Sequence, residues 1–138
     1  MSYAAQSDLV TRFGQAELLQ LADDGEGAID ATRVAAALTA ADNLIDAYIG
    51  GRYDLPLATV PPVLVDKACD IARYELMGQG ATEAAQIRYD AAIALLRDIA
   101  AGRAALPLDD GDDAPALDGQ VETVGPARVF GRDRMSGF

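Results

Sequence analysis

The chain has 138 residues, 51% of them hydrophobic, a formal net charge of -11, one cysteine and no histidine. That length suits one domain with one modest core, and the acidic balance excludes direct nucleic-acid binding or docking on an anionic membrane, which need clustered Lys and Arg. The single cysteine excludes an internal disulfide, and the lack of histidine removes the usual general base and zinc ligand. Much of the apolar content is alanine, which buries little area, so the core is thin and partners are expected to supply part of the burial. There is no signal-type N-terminus and no apolar run of membrane-spanning length. The chain is expected to be made and folded in a cytoplasm, with no membrane partner.

Residues 1–5 read as extended. Ser7-Asp8 can cap a helix start, and residues 8–13 give one or two turns with Leu9 and Phe13 on one side. Gly14 stops them, and residues 15–22 form a second short helix carrying Leu18, Leu19 and Leu21.

Residues 23–30 resemble a calcium-binding loop in their alternating acids and glycines. With Gly27 at the turn, Asp24, Glu26 and Asp30 fall on ligand positions. Ala22 would then be the first ligand and Arg33 the closing acid, and neither can serve. The favoured expectation is a surface turn whose Asp30 caps the next helix.

The first long helix covers residues 31–50. Val34, Leu38, Ala41, Ile45 and Tyr48 form one stripe, widened by Leu44 and Ile49. Asp42 and Asp46 lie four apart, and the expectation for them is a solvated face. Gly50-Gly51 ends the helix. Residues 52–59 form a crossover arm kept non-helical by Pro56, with Tyr53, Leu55, Leu57 and Val60 alternating to pin it across a helical surface.

Pro62 suits a first helical turn and opens a second long helix over residues 63–77. Leu64, Ala68, Ile71 and Ala72 form one of its stripes, and Val65, Cys69, Ala72 and Leu76 another. Apolar residues on two sides make this helix central, with Cys69 a small core residue. Asp66, Asp70, Arg73 and Tyr74 read as paired polar groups in a helix groove. Gly78 and Gly80 break the chain, Thr82 caps, and residues 84–101 make the third long helix. Its stripe is Tyr89, Ala92, Ile93, Leu96, Ile99 and Ala100, bordered by Ile87, Ala91 and Leu95, an arc broad enough to face a partner subunit as well.

The fold class is therefore all-α: a small bundle of three long helices with short N-terminal helices, an extended crossover arm and an extended C-terminal tail. The helical domain covers residues 1–103. Residues 104–138 hold an acidic linker with Asp109, Asp110, Asp112 and Asp113, then a docking arm. That arm combines Arg128, Arg132 and Arg134 with Val129, Phe130, Met135 and Phe138, the anchor types of a docking peptide. No nucleophile and base come together anywhere, so no enzyme and no cofactor are expected.

Several stretches together resemble the neck protein of phage Mu-like viruses and prophages, a head–tail adaptor family. They are residues 3–14 (YAAQSDLVTRFG), the arm 46–57 (DAYIGGRYDLPL), the Pro61-Pro62 helix start, the core 69–76 (CDIARYEL) and the tail 126–130 (PARVF). The resemblance runs essentially end to end, carried by order and spacing rather than by any one motif. Many relatives have a fuller aspartate–glycine turn than residues 23–30. The resemblance implies a virion protein at the head–tail junction of a phage, prophage or gene transfer agent. It would join a dodecameric ring between the portal protein and a stopper or tail-terminator protein, with DNA passing the channel. Arg128, Val129, Phe130, Arg132 and Phe138 are then expected to dock on the portal, and Tyr53, Leu55, Leu57 and Tyr89 to meet neighbouring adaptor subunits. The alternatives are a free-standing helical interaction module and a weak calcium-binding regulator.

Overall fold

Helix formation begins at Gln6, two residues ahead of the expected start. In the computed structural model, which describes residues 2–108, α1 is Gln6–Phe13. Ser7 and Asp8 are thus inside the helix rather than capping it. Asp8 still serves the terminus: its Oδ2 accepts from the backbone N–H of Ala5 at 2.8 Å. Gly14, at φ 94°, separates α1 from α2, Gln15–Leu21. Only glycine adopts that backbone angle cheaply.

The long helices are α3 (Ala31–Ile49), α4 (Pro62–Met77) and α5 (Glu83–Ala101). Asp30 caps α3, its carboxylate accepting from Thr32 N and Arg33 N. Pro62 stands in the first turn of α4, and the Thr82 hydroxyl accepts from Ala85 N to start α5. A short 3-10 turn, Gly78–Gly80, links α4 to α5. Gly102, at φ 83°, ends α5 in the left-handed conformation. All five α-helices of the described residues belong to an all-α fold, with one isolated antiparallel bridge between Asp23 and Ile29.

Helix α4 is central, packed against α3, α5 and α1. Its Leu64, Ala68, Cys69, Ile71 and Ala72 are buried, as the two stripes require. Full burial of Leu64 or Ile71 contributes about 1.5–3 kcal/mol each, while the alanines mainly allow close helix approach. Helices α3, α5 and α1 cover most of the α4 apolar arc, and Val63, Val65 and Leu76 stay partly buried. Residues 104–108, which composition assigns to the linker, also join the body: Leu106 is buried, and Ala104 and Leu108 pack against the core. Among the described residues, no helix is long and apolar enough to cross a membrane.

Candidate docking surfaces

A cluster of ion pairs ties α1 and α2 to α4. Arg12 donates to both oxygens of Asp70, from Nε at 3.2 Å and Nη2 at 3.3 Å, and its Nη1 lies 3.2 Å from Asp66. Arg88 of α5 approaches the same Asp70 at 3.8 Å. One turn along α4, Arg73 donates to Glu17 at 2.6 and 3.2 Å. The guanidinium groups of Arg73 and Arg12 lie over the Phe13 ring, 4.5 and 5.6 Å from its centre. Phe13 is therefore a half-buried platform for cations as well as a partner of the core. The polar residues of α4 staple two short helices, a role that spacing within α4 alone could not disclose.

The crossover arm is built into the body. Tyr53 is 5% exposed and Leu57 8%, both within the protomer core, while Leu55 is half-buried. The Tyr53 hydroxyl accepts from the backbone N–H of Leu106 at 2.9 Å, joining the arm to the segment after α5. The arm turns tightly at Gly50: a Cβ there would meet the Asp46 carbonyl oxygen at 2.7 Å and Leu55 Cδ1 at 3.4 Å. Of the four residues expected to meet a neighbour, Tyr53 and Leu57 hold the arm down, and Leu55 and Tyr89 keep accessible surface.

Tyr89 stacks on Tyr74 with ring centroids 4.1 Å apart. Tyr74 donates to Gln86, and Gln86 donates to Asp90, fixing that side of α5. Leu44, Tyr48, Tyr89, Asp90, Ile93 and Arg97 line a groove of about 330 Å³ between α3 and α5. Burial first, and then the nearby Glu75 charge, push the Tyr89 hydroxyl above its ordinary pKa. On the outer side of α5, Ile87 is 60% exposed, the one large hydrophobic so exposed among the described residues. Ala84, Ala91 and Ala94 are also exposed on α5, as are Ala35, Ala36, Thr39, Asn43 and Ala47 on α3. Sequence reasoning placed Ile87 at the border of the buried stripe. Its spacing suits that border, and only the positions of α3 and α4 show that nothing among the described residues covers it.

In the acidic loop 23–30, Asp23, Asp24 and Asp30 turn their carboxylates to nearby backbone. Asp23 accepts from Gly25 N, Asp24 from Glu26 N and Ala28 N, and Asp30 from the start of α3. Asp42 and Asp46 differ from the solvated pair expected for them. Both are half-buried and hold the N-terminal segment: Tyr3 N donates to Asp42 at 2.9 Å, and the Tyr3 hydroxyl donates to Asp46. Burial raises the Asp42 pKa, opposed by the hydrogen bond from Tyr3.

Arg128, Val129, Phe130, Arg132 and Phe138 lie outside the described residues. The family model described as "Bacteriophage Mu, Gp36" matches residues 3–124. The chain is 37% identical over 137 residues to the Mu-like prophage FluMu protein gp36 of Haemophilus influenzae, covering 99% of this chain and 97% of that one. It is 30% identical over 105 residues to gene product J of Escherichia phage Mu, covering 75% and 74%.

Proposed function

The chain belongs to the Bacteriophage Mu Gp36 family, and from that premise we propose that it is a head–tail adaptor, a non-enzymatic virion protein of the neck. In this reading it forms a ring, dodecameric to match the portal protein, and hands on to a stopper or tail-terminator protein while DNA passes the channel. The observation that carries the reading is the outer face of α5. Ile87 stands 60% exposed among exposed alanines, on a bundle whose other large apolar side chains among the described residues are at least partly covered. Exposed apolar surface of this kind is retained where another protein covers it.

A closed ring needs two different faces per subunit, one meeting the other on the next copy. The Ile87 row of α5 supplies one, and the exposed small residues of α3 the other. Leu55 and Tyr89 add apolar contact, with Tyr53 and Leu57 fixing the arm beneath. The net charge of -11 suits a channel component, because like charge keeps DNA phosphates from sticking. The tail residues Arg128, Val129, Phe130, Arg132 and Phe138 dock on the portal.

Three experiments test this. Deleting residues 120–138 leaves the helical circular-dichroism spectrum unchanged and lowers incorporation into particles, and full incorporation refutes portal docking by the tail. Ile87→Glu leaves the monomer folded and blocks ring assembly. A reconstruction of the particle neck that lacks density for this chain overturns the adaptor reading altogether.

A further inference from the structure

The groove between α3 and α5 has a chemistry the ring does not explain. Its walls are two half-buried tyrosines, Tyr48 and Tyr89, with Leu44 and Ile93, and Asp90 stands at its edge. Glu75 also acts electrostatically on Tyr89. Aromatic faces beside a carboxylate suit a ligand that offers a guanidinium group next to an apolar anchor. The other clefts lack this combination. The one beside Phe13 is lined by Arg12, Arg73 and Arg88, which repel a cationic ligand. The one between α3 and α4 is lined by Arg33, Ala36, Ala37, Ala40, Glu75 and Leu76, with no aromatic ring.

We propose that the occupant of the α3–α5 groove is the segment Arg128–Asp133 of the same polypeptide, with Phe130 against the tyrosines and its arginines towards Asp90. The sequence of that segment, Arg-Val-Phe-Gly-Arg-Asp, brings an anchor, two cations and an aspartate, Asp133, to match Arg97 at the groove's other charge. Reach permits it. Nineteen residues lie between Leu108 and Arg128, an extended span of about 65 Å, whereas the 19 residues of α5 rise only about 28 Å. The seat would cover Phe130 and the accessible edge of Tyr89 in the free chain, so a partner that draws the tail away uncovers both together. The seat goes beyond the adaptor reading and does not depend on it, since it concerns the isolated chain.

The test is a methyl and amide NMR comparison of the full-length wild type with full-length Phe130→Ala and Arg128→Glu. Both substitutions lie outside the described residues and leave the bundle to fold. The expected result is a set of shift changes at Leu44, Tyr48, Tyr89 and Ile93, shared by both variants and independent of protein concentration. Changes confined to the tail's own neighbourhood overturn the proposal. Groove shifts that fade on dilution also overturn it, because they place the tail of a second copy there. Neither outcome bears on incorporation into particles, so failure here and failure of the adaptor reading are told apart.

Discussion

Arg12 and Asp70, 58 positions apart, meet in a two-pronged pair in which the carboxylate is only 2% exposed. An ionised side chain so covered needs both charge and hydrogen bonds returned to it. Arg12 supplies both, Arg88 adds a second cation at 3.8 Å, and the price is that α1 must stay where it is. The short N-terminal helices, too short to be stable alone, are in effect held by α4 through this pair and through Arg73–Glu17.

Replacing Asp70 by Asn keeps the shape and removes the charge. Among the described residues, Arg12 retains the more exposed Asp66 as its acidic partner. Breaking one side of a buried pair costs about 3–5 kcal/mol at full burial. Arg12 is partly solvated, so about 2–3 kcal/mol is expected here. Urea unfolding measures it, and hydrogen exchange should show α1 amides losing protection before those of α4. An unchanged midpoint would mean that the pair is solvent-screened and does not staple α1.

Adjacent glycines make a sharper comparison. A methyl group at Gly50 would stand 2.7 Å from the Asp46 carbonyl oxygen, a backbone atom that cannot swing aside, while Gly51 has nothing within 4 Å. Gly50→Ala should therefore destabilise by roughly 1–3 kcal/mol. Gly51→Ala should be neutral or slightly stabilising, through reduced freedom of the unfolded chain. Thermal melts of the two variants side by side decide it, and equal melting temperatures would refute the close approach at Gly50.

These cases show where the sequence was legible. Stripes at three and four gave α3, α4 and α5 to within a residue or so at each end, because packing on a neighbour imposes that period. Asp30, Pro62, Thr82 and Gly102 marked ends because each satisfies or removes a specific backbone group. Pairings across the fold were hidden. Nothing in the spacing of Asp42 and Asp46 announces that Tyr3 will lie on them, and nothing near Arg12 points to Asp70. For the candidate interface, Ile87 was seen as apolar but not as uncovered. Tyr53 and Leu57 were read both as pinning the arm to a helical surface and as meeting a neighbour, and their burial accounts for the first role.

Asp42 gives a pH signature. Burial, the largest influence, lifts its pKa above the ordinary 3.8, so the folded state holds a proton more tightly than the unfolded chain does. The folded protein then loses stability from this group as pH rises from about 3.8 through the folded pKa. Asn at position 42 keeps an acceptor for Tyr3 N and cannot ionise. Relative to wild type, Asp42→Asn should gain stability as pH climbs through that window and show no gain below it. A stability difference that does not change with pH would contradict the burial of this carboxylate.

Cys69 is buried in α4, and burial pushes its thiol up to about 12. The thiolate is the reactive form, so the native protein at pH 8 should react with a thiol reagent at least about a hundredfold more slowly than a free cysteine of pKa about 8.5. Unfolding in guanidinium should restore the ordinary rate. Rapid labelling of the folded chain would show that α4 opens readily, against its central position.

Tyr53→Phe isolates the link between the arm and the end of the helical body. The ring stays to fill its buried site, but the Leu106 N–H loses the hydroxyl that accepts from it at 2.9 Å in a buried setting. An orphaned buried donor costs about 1–3 kcal/mol, unless residues 104–108 peel away and let water reach it. The two responses are separable. A global loss of that size with Leu106 still protected from exchange means that the segment stays packed. A small global loss with fast exchange at Leu106 means that it has detached. Either result supports a fastening role for the Tyr53 hydroxyl. Wild-type stability together with wild-type exchange at Leu106 would show that the bond holds nothing.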